Sequence, residues 1–423
     1  MHALLAVLFL MPAQDAKQDQ EEDKKEPEIV DVWKPLDEGS VEKLKAAVKD
    51  DPAKLIELMK KGRPLKDAPP GETKERLKDA LGVETDLWVI VPSRYDKAKP
   101  AGLFLVLHGL GGTGEQLKDL WRAYAAANNF IVAAPTAQKE PEAAKNEDSY
   151  GGQIGGKDIP HWWSYREGSF PLAALAALKR RFAIDENRVV LTGYSMGGFG
   201  TWNIGLRFPD RFCALIPYAG GVSRTEYIGL RVDERLRKLH LNQFNLPAYF
   251  VHGDADRLVP VEFSRESRNQ LKKLGYEFEY KEVAKGGHIL NVRDGGEVMT
   301  GIQKWLKDKV RKPHPKEVKH FAVGEYCPQS YWVRIAEFKD KTAEVRAAVK
   351  AQTIDFTATG VKKLTFYLDD TLVDLAKPVK VTSGGATVFE GEVTPSVEAV
   401  FDSWRAREDR ELLYRARVTV EIK

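Results

Sequence analysis

Five residues constrain this chain more than any others: Gly193-Tyr194-Ser195-Met196-Gly197. They follow an apolar run, Val189-Val190-Leu191-Thr192, and lead into Met196-Gly197-Gly198-Phe199-Gly200-Thr201-Trp202. The run predicts a buried strand and the stretch after it opens a helix. Small residues on both sides let strand and helix meet at a sharp corner with the serine at its apex. An incidental serine in a glycine turn would lack that frame on either side.

A serine is a poor nucleophile near neutral pH, so a base and an acid that orients it must lie elsewhere in the chain. Downstream, Tyr249-Phe250-Val251 runs into His252-Gly253-Asp254-Ala255-Asp256-Arg257-Leu258-Val259-Pro260. An acidic loop directly after a strand can present a carboxylate at a sheet edge, and Asp254 and Asp256 compete for that role. His288, framed by Gly286-Gly287 after the strand-like Tyr280–Val283, is the candidate base. His252 reads as structural. Developing negative charge needs preset backbone donors. The loop His108-Gly109-Leu110-Gly111-Gly112-Thr113-Gly114, after an apolar strand, is the candidate source. One donor is assigned to the amide of Leu110, with Gly111 as the alternative, and the other to that of Met196. His108 reads as a brace. No Gly-Lys-Ser/Thr ending follows, so a phosphate loop is excluded.

These motifs, taken with Asp185-Glu186-Asn187-Arg188 and Phe208-Pro209-Asp210-Arg211-Phe212, resemble the α/β-hydrolase superfamily from about residue 103 to 310. The nearest likeness is to dienelactone-hydrolase-like, polyhydroxybutyrate-depolymerase and feruloyl-esterase-like, and prolyl-oligopeptidase-like catalytic domains. The resemblance implies a doubly wound, mostly parallel sheet and the chain order Ser195, acid, His288. It also aligns Asp256 with the acid of His-Gly-x-x-Asp-x-x-Val-Pro. Ester hydrolysis through an acyl-enzyme is the activity it implies, with a serine peptidase as the alternative. Peptidases of this type carry a large N-terminal propeller, for which residues 1–86 leave no room. A non-catalytic carbohydrate- or envelope-binding protein is the third reading, and it is disfavoured because no triad member is missing.

With 423 residues the chain exceeds one ordinary core. Residues 1–16 hold a short apolar run, Ala3–Met11, and read as a signal peptide, which predicts a secreted or periplasmic protein. The charged, apolar-poor residues 17–38 read as flexible. Ser40, Asp51-Pro52 and Gly62 punctuate a helical segment, 39–84. Residues 85–311 carry the α/β alternation of the catalytic domain. The stretch Arg311-Lys312-Pro313-His314-Pro315 reads as a linker. Short alternating runs over 316–423 predict a β-rich, sandwich-like domain with one helix near Val397–Arg405. The 65 basic and 62 acidic residues nearly cancel, which argues against a nucleic-acid partner. Cys213 reads as a free core residue rather than one half of a disulfide with Cys327. No Cys/His spacing suits zinc, so neither metal nor cofactor is expected, and no segment is long enough to span a membrane.

Substrate contacts are expected from the glycine-rich, aromatic insert at residues 149–169, where Trp162 and Trp163 are candidates to flank the cleft and stack on an aromatic acid or sugar, the alternative for each being that it packs the loop on the body of the protein. Aromatic, sugar-linked and short polyester substrates all suit such a wall. The C-terminal domain is a candidate for carbohydrate, envelope or protein contact, or equally only stabilises the enzyme; no aromatic platform is readable in it, although Trp332 and Trp404 are candidates.

Overall fold

The computed structural model describes residues 31–79, 82–139, 153–154, 157–162, 169–222, 234–290, 292 and 296–422. The expected signal peptide and Trp163 lie outside them. Strand β1 spans Gly71–Lys78, β2 Glu84–Val91, β3 Ala101–Leu107, β4 Phe130–Pro135, β5 Ile184–Tyr194, β6 Ala214–Tyr218, β7 Tyr249–Gly253 and β8 Glu279–Val283. They form one eight-stranded sheet in the order β1-β2-β4-β3-β5-β6-β7-β8. From β4 to β8 every pairing is parallel, and β2 runs antiparallel to both neighbours.

Every residue of β3, β4 and β6 is buried. A strand buried on both sides requires cover on both sheet faces. Leu103, Leu105 and Leu107 face one layer, with Ser169–Lys179 (α4), Met196–Arg207 (α5) and Glu262–Leu274 (α6). Phe104 and Val106 face the other, with Trp121 and the helix Glu297–Leu306 (α7). This is the α/β-hydrolase architecture that the sequence implied.

Ahead of the sheet lie Trp33–Glu38 (α1), Val41–Val48 (α2) and Pro52–Lys60 (α3). Ser40 and Asp51 cap α2 and α3 with their side chains, as their positions predict. The segment read as helical nevertheless ends in β1, an edge strand. Its charged, exposed face gives little apolar alternation, which is why pattern alone does not reveal it.

The C-terminal part stacks a five-stranded sheet on a four-stranded one, with Val397–Arg405 (α8) alongside. Leu44, Leu55 and Met59 of the N-terminal hairpin pack on Val397, Val400 and Trp404 of α8. The supposed linker is no free spacer: Arg311 is buried and binds Asp409 through two nitrogens at 2.8 and 3.0 Å. Both cysteines are buried, and they form no disulfide with each other. Trp332 is fully buried and donates to the Pro315 carbonyl at 2.7 Å, while Trp404 packs edge-on against Trp33. Neither candidate offers an exposed aromatic surface.

Candidate active site

Strand register brings four loops to one edge of the sheet. Leu107 pairs with Gly193, Gly193 with Pro217, Tyr218 with Val251, and Gly253 with Val283. All five strands run parallel, so the loops after β3, β5, β7 and β8 emerge together. These loops carry Leu110, Ser195, Asp256 and His288.

Ser195 sits at φ +56° and ψ −115°, a region that side-chain-bearing residues rarely occupy. Its amide donates to the Tyr218 carbonyl at 2.9 Å, which helps hold the corner. The turn also needs glycine at 197, because a β-carbon there would land on the Leu107 carbonyl oxygen. His288 Nε2 lies 2.9 Å from Ser195 Oγ, and Nδ1 lies 2.7 Å from Asp256 Oδ2. The other Asp256 oxygen accepts the amides of Leu258 and Val259, both at 2.8 Å. That network assigns the neutral imidazole's proton to Nδ1 and leaves Nε2 to accept from the serine hydroxyl. Asp256 is buried, whereas Asp254 is exposed on the same loop.

The glycine loop lies against this serine. A β-carbon on Gly109 would sit 3.6 Å from Ser195 Cβ. Gly112 donates to the Gly109 carbonyl at 3.1 Å, closing a turn with Leu110 and Gly111 at its centre. Gly111 has φ +71°, as the third residue of a type II turn requires. Met196 opens α5, so its amide is a first-turn donor with no acceptor inside the helix.

Behind the loop, His108 Nε2 accepts the Ala137 amide at 2.9 Å, and Nδ1 contacts the Gly109 carbonyl at 2.7 Å. Burial holds this imidazole below its ordinary pKa, and therefore neutral. Trp162 is fully buried and donates to the His108 carbonyl at 2.9 Å, its ring edge-on to the imidazole. It cannot flank the cleft as expected. The indole is large and apolar enough for the core to claim it, and Gly200 on α5 leaves room for its Cβ.

One residue at the site escaped sequence reasoning. Tyr194 binds the His288 carbonyl through its hydroxyl and accepts the Leu290 amide at 2.7 Å, anchoring the histidine loop. Its place beside the serine, as the variable residue of Gly-x-Ser-x-Gly, was the available signal. His252, read as structural, stands 3.4 Å from Asp256 Oδ2. Among the described residues, no group of His, Cys, Asp and Glu could hold a metal ion, and no helix is long and apolar enough to cross a membrane.

Residues 79–288 match the family described as "Putative esterase". A protein of Oryza sativa subsp. japonica named "Probable inactive carboxylesterase" is 26% identical over 229 residues, covering 49% of this chain and 85% of that protein. "Dipeptidyl-peptidase 5" of Porphyromonas gingivalis is 27% identical over 141 residues, 31% of this chain but only 19% of the relative. "Acyl-protein thioesterase 1" of Neurospora crassa is 22% identical over 241 residues, 51% of this chain and 89% of that protein. Residues 79–288 thus match the esterase family, and the sheet order and serine corner around them have the α/β-hydrolase fold.

Proposed function

We propose that the protein is a serine esterase that works through an acyl-enzyme, with Ser195 as nucleophile, His288 as general base and Asp256 as the orienting acid. The observation that carries this reading is the pair of contacts on His288, 2.9 Å to Ser195 Oγ and 2.7 Å to Asp256 Oδ2. Ser195 Oγ attacks the ester carbonyl while Nε2 takes its proton. The amides of Met196 and Leu110 meet the resulting oxyanion. His288 then protonates the departing alcohol, and water repeats the sequence on the acyl-enzyme.

The part of the ester beside the reacting carbonyl is apolar in this reading. Among the described residues five large hydrophobic side chains are exposed, and Leu110, Leu258 and Ile289 belong to three of the four loops that carry the proposed chemistry. An apolar group laid over them removes that surface from water. An aromatic acid or a short polyester fits this requirement better than a bare acetyl group.

The test combines a fluorophosphonate probe with a panel of nitrophenyl esters, feruloyl and acetyl sugar esters, and peptide amides. The probe labels the wild type and spares Ser195→Ala, whose turnover falls on the order of a thousandfold to a millionfold. Turnover of peptide amides with negligible activity on every ester would replace the esterase reading with the peptidase one.

A further inference from the structure

We infer that His252 is a positioning residue for the reaction, a second imidazole that aims the Asp256 carboxylate at His288; this rests on the triad proposed above. His252 is the last residue but one of β7 and is fully buried. Its Nε2 lies 2.9 Å from the Val259 carbonyl and 3.4 Å from Asp256 Oδ2. The carbonyl can only accept, so Nε2 carries the proton and donates it to Val259, with Asp256 Oδ2 beside that N–H. Nδ1 lies 2.7 Å from the Ser264 hydroxyl on α6, which also approaches the Gly220 carbonyl at 3.3 Å.

One imidazole thus ties three parts of the site together. The Val259 carbonyl fixes the far end of the turn whose amides, Leu258 and Val259, hold Asp256 Oδ1. Ser264 anchors the ring to a helix packed on the sheet. The 3.4 Å approach to Oδ2 is too long for a full hydrogen bond, yet it sets a partial positive charge beside the oxygen that faces His288. Among the described residues the titratable groups facing this imidazole are Asp256 and His288; α6 supplies the Ser264 hydroxyl. Burial holds His252 below its ordinary pKa. A neutral His252 orients Asp256 without cancelling its charge, leaving that charge to stabilise the imidazolium formed on His288 during turnover.

The experiment compares wild type, His252→Leu and His252→Gln by fluorophosphonate labelling and ester turnover, each across pH. Wild-type protein that shows neither labelling at Ser195 nor ester turnover would sink the hydrolase reading itself. Given active wild type, His252→Leu is expected to lose about tenfold to a hundredfold in kcat, the scale set by a misplaced catalytic group. KM should hold, and the acid limb of the profile should move to lower pH, because a poorly aimed Asp256 stabilises the imidazolium less. His252→Gln restores an N–H at similar reach and should recover much of the loss. If folded His252→Leu keeps the wild-type kcat and acid limb, the proposal is overturned. It is equally overturned if activity falls only in step with stability, with the limb unmoved and no rescue by glutamine. Should the leucine variant fail to fold, Ser264→Ala replaces it, removing the anchor on Nδ1 together with the hydroxyl's contact to the Gly220 carbonyl. A severalfold fall in kcat with a shifted limb then supports the role, and unchanged kinetics exclude it.

Discussion

Asp254 and Asp256 lie two residues apart on one loop, and environment separates them. Asp256 is buried, accepts two backbone amides on one oxygen and faces His288 with the other; Asp254 is exposed. Replacing Asp256 by asparagine keeps the volume but removes the charge, and the amide group favours the wrong tautomer of His288. Asp256→Asn is therefore expected to lower ester kcat by about a thousandfold to ten-thousandfold. Asp254→Asn should leave kcat nearly unchanged. Steady-state kinetics on one nitrophenyl ester decide between them, and a crippled Asp254→Asn beside a healthy Asp256→Asn would mean the wrong carboxylate carries the role. The choice was legible in the sequence only through the spacing of His-Gly-x-x-Asp-x-x-Val-Pro, since both residues offer the same chemistry. Burial and loop geometry separate them, and neither is a property of the residue itself.

Among the elements, the glycine loop is braced from below rather than walled from above. Trp162 donates to the His108 carbonyl, and His108 in turn holds the Ala137 amide and the Gly109 carbonyl. Trp162→Phe keeps a ring in the core but strips one buried carbonyl of its donor. The expected cost is about 1–3 kcal/mol of stability, read by urea unfolding. The slackened loop should lower kcat alike on aromatic and acetyl esters. A loss confined to aromatic esters would restore the stacking role that the aromatic insert suggests. From sequence the insert reads as a substrate wall because loops at this sheet edge usually build the site. Trp162 departs from that rule because its indole has both a core to enter and a carbonyl to meet.

Across the whole molecule, the N-terminal hairpin, the hydrolase sheet and the C-terminal sandwich are joined by apolar packing on α8 and by buried ion pairs. Arg311 and Arg407 reach Asp409 and Asp210, and all four are almost fully buried. The pH dependence of stability follows mainly from the histidines. His108, His240, His252 and His320 are each at most 2% exposed, and burial holds all four below the ordinary value, His240 to about 4. Their contribution is present above about pH 6.5, where unfolded histidine loses its proton, and is lost as the pH falls through the folded values. Glu186 opposes them: burial and the Asp409 charge push it up to about 7, so its contribution is full below about pH 4.5 and is lost as the pH rises through 7. With these four histidines, joined by His314, which burial also holds down, against one glutamate, the unfolded chain binds more protons between about pH 4.5 and 6.5, each worth at most about 1.4 kcal/mol per pH unit. The Tm is expected to fall steadily over that interval. A Tm that is flat or rises on acidification, measured by thermal unfolding, would contradict this assignment.

What the sequence by itself determined were the features set by local pattern: the serine corner, the apolar parallel strands, the caps of α2 and α3, and the β-rich C-terminal part. Each follows from residue spacing along a few turns or a single strand, so no distant contact is needed to read it. Tertiary structure alone decided which side chains the core absorbs and which it leaves at the site. It buried Trp162, Trp332, Trp404 and Arg311, added the charged β1 as a sheet edge, and set His252 beside Asp256. Those outcomes depend on which surfaces meet when the sheet closes against its helices and the C-terminal sandwich docks. Burial and hydrogen-bond satisfaction are settled between segments far apart in the chain, and composition and periodicity carry no record of such meetings.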